Sequence, residues 1–138
     1  MGAKTRMQAT TKNLYSATEA GEAINTQVLQ NWKYALGENA SKFLRKVSGI
    51  YFQEAPQLLR AIAVAVAKGD AVALKEKAQK LKSSSAALGA RTLSQVCQQL
   101  ESMGCLGVIP DAPEILWHLS AEYEKFKVAL EIECQQWQ

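Results

Sequence analysis

Lys75, Gln79, Lys82 and Ala86 recur at offsets of four, seven and eleven residues, and Ser83 follows Gln79 by four. On an α-helix this spacing gathers all five on one side. Two lysines around a polar centre suit an anionic partner surface, and the small side chains of Ser83 and Ala86 leave room for that surface to come close. Gln79, at the centre, offers a carboxamide whose nitrogen lone pair is delocalised into the carbonyl, so it can hydrogen-bond but is no nucleophile. The single imidazole, His118, sits between Trp117 and Leu119, with no small-residue clearing or basic neighbour around it. Cys97, Cys105 and Cys134 form no Cys-x-x-Cys pair and share no ligand-like spacing with His118, so no metal site and no cofactor is expected. They read as reduced, small apolar side chains. Ser83, Ser84 and Ser85 could be kinase substrates, but a run of small residues also serves close packing and partner access.

The elements that must position this face are helical. Good helix formers are abundant, alternating β-branched patterns are scarce, and the chain has only three prolines among 138 residues. Residues 1–24 are polar and read as a tail or linker, with one short helical turn near Leu14 and Tyr15. The domain proper is expected over 25–138. Val28, Leu29, Trp32 and Leu36 mark a helix over 26–36 that Gly37 ends. Leu44, Val47, Tyr51, Ala55, Leu58, Ile62 and Val66 mark a long helix over 39–68, bent at Pro56 and stopped by Gly69. Asp70 caps the next, over 70–88, whose buried stripe is Leu74, Ala78, Leu81, Ser85 and Leu88. Another covers 90–103, with Leu93, Val96, Cys97, Leu100 and Met103 inward. The last opens at Asp111, where Asp111 and Glu114 make a capping pattern around Pro113, and runs along Leu116, Leu119, Tyr123, Phe126 and Leu130. Four long amphipathic helices on short connections predict an all-α, antiparallel four-helix bundle, with the short N-terminal helix packed across one end.

The stretch Ala78-Gln79-Lys80-Leu81-Lys82-Ser83-Ser84-Ser85, followed by Leu88-Gly89-Ala90, resembles the signature helix of histidine-containing phosphotransfer (HPt) domains. There the pattern reads Ala-His-x-Leu-Lys-Gly-Ser-Ser, then Leu-Gly-Ala. Leu36-Gly37-Glu38 with Phe43-Leu44, Phe52 to Leu59, Gly69-Asp70, and Leu93 to Cys97 with Leu100-Glu101 extend the likeness over roughly residues 26–132. The resemblance implies a helical bundle whose exposed histidine relays a phosphoryl group between receiver-domain aspartates, aided by a lysine and by a glycine one turn later. The lysine carries over to Lys82, the glycine position holds Ser83, and the histidine position holds Gln79. A phosphoryl acceptor needs a nucleophilic nitrogen, which neutral imidazole has and glutamine lacks. The resemblance therefore implies a pseudo-HPt domain, not an enzyme. Its partner would be a response-regulator receiver domain or a hybrid histidine kinase, bound through Lys75, Gln79, Lys82, Ser83 and Ala86.

Val28, Leu29 and Trp32 read either as core or as an apolar rim that helps the partner dock. Two other readings stay open: a working phosphotransferase whose histidine has been exchanged for Gln79, and a structural or dimerisation bundle. A net charge of +3 is too mild to argue for nucleic acid. No apolar run nears the roughly 20 residues of a membrane span, and residues 1–12 lack a secretory apolar segment. A monomeric, cytoplasmic protein is expected.

Overall fold

Apolar residues at intervals of three and four, punctuated by glycine, set the helices that the sequence predicts. The computed structural model describes residues 23–111 and 113–137. Helix α1 spans Thr26–Leu36, a 3₁₀ turn covers Gly37–Asn39, and α2 spans Ala40–Lys68. Helices α3 (Ala71–Ala87), α4 (Arg91–Cys105) and α5 (Glu114–Gln136) follow. Asn25 and Asp70 cap α1 and α3, their side-chain oxygens accepting from the N–H groups of Gln27 at 3.1 Å and Ala73 at 3.0 Å. Helix α2 runs unbroken through Pro56. No helix among the described residues is long and apolar enough to cross a membrane.

The capping pattern expected from Asp111 and Glu114 does not form. Pro113 takes the N-cap position of α5, and no side chain caps that end. The helix begins at Glu114 rather than beside Asp111, so the aspartate stands too far upstream to reach the first-turn amides.

Helix α2 packs on α3, α3 on α4, α4 on α5, and α5 back on α2, which closes a four-helix bundle. Leu44, Ile62, Leu74, Leu81, Leu100 and Phe126 are among its fully buried side chains. The α3–α4 pair is the tightest. A Cβ added at Gly104 would lie 2.7 Å from the Lys75 backbone nitrogen and 2.8 Å from the Ala71 carbonyl oxygen. The absent side chain is therefore what lets the two backbones touch. Across the α2–α3 seam, the Tyr51 hydroxyl and Ser85 Oγ share a buried hydrogen bond of 2.7 Å. The Tyr51 ring meets Phe126 edge-on at 5.6 Å. Burial pushes the Tyr51 hydroxyl far above its ordinary titration range, so it remains a protonated hydrogen-bonding group.

Helix α1 lies against α2, with Trp32 5.3 Å from Phe43. Lys33 Nζ sits 4.6 Å from the centre of the Trp137 ring, and Arg45 donates to the Trp137 carbonyl at 2.8 Å, so α1, α2 and the end of α5 are joined. The three described residues before α1 are also part of the fold. Ala23 and Ile24, placed in the tail by their polar surroundings, are buried, and Ile24 bridges Ala90. The Asn25 N–H donates to the Gly89 carbonyl at 2.6 Å. Gly89 has φ 86°, and a Cβ there would lie 2.8 Å from the Asn25 oxygen, so both its conformation and its crowding require glycine. The rest of the expected tail, residues 1–22, including the turn near Leu14 and Tyr15, lies outside the described residues.

Two stability experiments test this packing. Gly104→Ala gains about 1 kcal/mol of helix propensity, but the clash with α3 costs about 1–3 kcal/mol. The urea midpoint is expected to fall; a midpoint at or above wild type would show that the helices have room. Tyr51→Phe and Ser85→Ala each strand one buried hydroxyl and should each cost about 1–3 kcal/mol. The double variant should be less destabilised than the sum of the two, and simple additivity would refute the coupling.

Candidate functional site

Helix α3 divides cleanly by face. Leu74, Ala78, Leu81 and Ser85 are buried, whereas Lys75, Gln79, Ser83 and Ala86 are exposed and Lys82 is half-buried. The spacing of four, seven and eleven thus does put these side chains on one solvent-facing side. Val72 and Glu76, which sequence reasoning passed over, are exposed on the same helix, and Glu76 precedes Gln79 by three residues. Their signal was their helical offset from Gln79, which is as good as that of Lys75. No hydrogen bond or ion pair joins the Gln79 side chain to another described residue.

Lys82 departs from expectation. Its ammonium donates to Glu101 Oε1 at 2.5 Å and to Gln98 Oε1 at 2.8 Å, both on α4. The Lys82 and Glu101 side chains keep only 28% and 13% of their exposure, so the pair is partly withdrawn from water. Gln98 is oriented in turn, donating through Nε2 to Ser102 Oγ at 3.1 Å. The positive charge read as bait for an anionic partner is already neutralised. Beneath it lies Cys97, fully buried; burial pushes its thiol up to about 12, and the nearby Lys82 opposes that rise only in part. Such a thiol is inert packing, not a nucleophile.

The apolar residues of α1 divide as well. Leu29 is completely buried and belongs to the core, so it offers no partner a contact. It occupies the inward side of an amphipathic helix, a distinction its spacing alone did not make. Val28 and Trp32 are half-buried, and Trp32 packs on Phe43 of α2.

A separate cluster of titratable groups lies along α5. Glu122 of α5 is buried. It accepts from the Thr92 hydroxyl at 2.6 Å and from Lys125 at 3.2 Å, and His118 Nε2 lies 3.5 Å away. Burial pushes the Glu122 carboxyl up, but the hydrogen bonds from Thr92 and Lys125 and the charges of Lys125 and His118 outweigh it and hold the group below its ordinary value. His118 itself is exposed. A groove of about 530 Å³ runs between α2 and α3, lined by Glu54, Gln57, Leu58, Ala61, Lys77, Lys80 and Ser84. It lies on the flank of α3 away from Lys82. No group of three or more His, Cys, Asp or Glu that could hold a metal occurs among the described residues.

The sequence profile of the Hpt domain matches residues 46–129. Among solved structures, the crystal structure of histidine-containing phosphotransfer protein B (HptB) from Pseudomonas aeruginosa PAO1 superposes with a TM-score of 0.72. The two are 22% identical, and the match covers 86% of this chain and 99% of that one. At that identity the likeness is one of fold. No curated protein sequence matches the chain.

The Glu122 cluster gives a pH test. A carboxyl held below the ordinary glutamate value of about 4.3 stabilises the fold fully above that pH, and the contribution is lost as pH falls through the lower folded value. Thr92→Val should raise the Glu122 titration midpoint, followed by carboxyl NMR. It should also lower stability at neutral pH, with the gap from wild type narrowing below about pH 4. A gap that is constant with pH would mean that Thr92 acts through packing alone.

Proposed function

This chain belongs to the Hpt domain family, and we propose that it is a phosphorelay docking module that binds a receiver domain without accepting phosphate. The receiver would be that of a response regulator or of a hybrid histidine kinase. The observation that carries the reading is Gln79 itself: exposed at the middle of α3, next to the small Ser83 and Ala86, where the family's motif has histidine. An imidazole there could take a phosphoryl group from an aspartyl phosphate, forming an N–P bond as the carboxylate leaves. A carboxamide cannot form that bond, because its nitrogen has no available lone pair. His118 offers no substitute. It sits on a different helix, and the Glu122 carboxylate 3.5 Å away would repel an incoming phosphoryl group.

Docking can persist without the acceptor. It depends on shape and on desolvation around the helix, and the small residues beside Gln79 permit close approach. Calorimetric titration of purified receiver domains from the source organism tests this. At least one should bind, and Ser83→Trp should weaken that binding by about tenfold or more by blocking close approach. Absence of binding to every receiver, or indifference to Ser83→Trp, would sink the proposal. In a second assay, a phosphorylated receiver should leave the wild-type chain unlabelled, whereas Gln79→His should acquire acid-labile label. Label on the wild-type chain would place a working acceptor elsewhere.

A further inference from the structure

We infer that Val72 and Leu106, with Val108 beside them, form the apolar anchor that holds a receiver domain at the N-terminal end of α3. The inference rests on the receiver-docking reading and adds to it the place where the partner is gripped.

The surface around Gln79 permits close approach but supplies little grip. Gln79 is polar, and Ser83 and Ala86 are small. Interfaces gain most of their affinity from a few large side chains that lose water on binding and are ringed by polar groups. Helix α1 is a poor source of such residues. Leu29 is fully buried, and Val28 and Trp32 are already half-withdrawn into the fold. That helix is also tied to the C-terminal end of α3, through the Asn25 N–H and the Gly89 carbonyl. Large side chains still open to water stand at the other end.

Among the described residues Leu106, at 78% exposure, and Val72, at 67%, are the most exposed large aliphatic side chains. Both border the backbone contact between α3 and α4. Val72 follows Ala71, whose carbonyl faces Gly104, and Leu106 stands two residues beyond Gly104. The Leu106 N–H donates to the Ser102 and Met103 carbonyls at 3.1 Å. The Val108 N–H donates to the Met103 carbonyl at 2.8 Å, which folds the loop back onto the end of α4 with Val108 exposed. The neighbouring Asp70, Lys75, Glu76 and Ser102 are exposed and polar. Val72 precedes Gln79 by seven residues, so it lies on the same side of α3, about 10 Å along the axis. A stable complex buries about 800 Å² on each partner, a disc of about 16 Å radius, so an interface centred on Gln79 reaches this patch. A second copy of the chain is a poorer occupant. Three aliphatic side chains expose on the order of a few hundred Å², well short of what a stable dimer buries. The patch suffices only within a larger contact, and the Gln79 face supplies the rest.

The double variant Val72→Ser/Leu106→Ser removes this apolar surface without changing a charge. Both side chains are exposed, so its urea midpoint should match wild type. The receiver that binds wild type most tightly is titrated into each variant by calorimetry. The double variant should bind about tenfold or more weakly, by the same factor at low and high salt, with a less negative heat-capacity change. Val128→Ser is the control. Val128 is also half-exposed, but on α5, which packs on α2 and α4, and its loss should leave binding unchanged. Wild-type affinity in the double variant, or an equal loss in Val128→Ser, overturns the inference. So does self-association of wild type that the double variant abolishes, because the occupant is then a second copy. A complex weakened by Ser83→Trp and untouched by the double variant removes the anchor and leaves the docking reading standing. Absence of binding to every receiver removes both.

Discussion

The backbone contact between α3 and α4 at Gly104 is the constraint on which the rest of the site depends. Without a side chain at that position, α4 lies directly against the Ala71 carbonyl and the Lys75 backbone. That proximity brings Glu101 and Gln98, one turn and more upstream on α4, within reach of the Lys82 ammonium. It also seals Cys97 beneath them. A wider spacing would free the lysine, hydrate the thiol and change the electrostatics of the exposed face in one step. A missing methyl group in the packing thus governs a charge at the surface.

The interior is not purely apolar, and its polar members are all satisfied. Among the described residues no buried side-chain nitrogen or oxygen lacks a hydrogen-bond partner. Tyr51 and Ser85 pair across α2 and α3, while Glu122 draws Thr92 of α4 onto α5. Bonds of this kind add little net stability when made and cost much when broken, so their main effect is to reject alternative packings. Together with Gly104 they index three of the four seams of the bundle.

Much of this was legible in the sequence. Apolar spacing and terminal glycines marked the first four helices to within two residues, and the buried stripe of α3, from Leu74 to Leu88, is as its periodicity implies. The solvent-facing set around Gln79 followed from the same arithmetic. What escaped was whatever depends on how helices meet. Lys82 reads as a free cation because Glu101 lies on another helix, and only the α3–α4 register brings them together. Leu29 and Trp32 share one amphipathic pattern, yet one is core and the other half-exposed, since burial depends on the neighbour and not the period. Ile24 sits in a polar stretch, and its bridge to Ala90 is a tertiary contact without local signal. Asp111 and Glu114 had the right residue types for a cap, but the helix starts beyond the aspartate's reach.

The Tyr51–Ser85 bond has a consequence beyond the core. An α-helix turns by about 100° per residue, so a slip of α3 by one position about its own axis would pass the central outward bearing from Gln79 to Ala78 or Lys80. Ser85 is tied to α2 on one flank of α3, and the Lys75 backbone abuts Gly104 of α4 on the other. Held from two sides, the helix has a single azimuth. The side chain displayed to solvent is thereby chosen by a phenol on another helix, buried and beyond the reach of any partner.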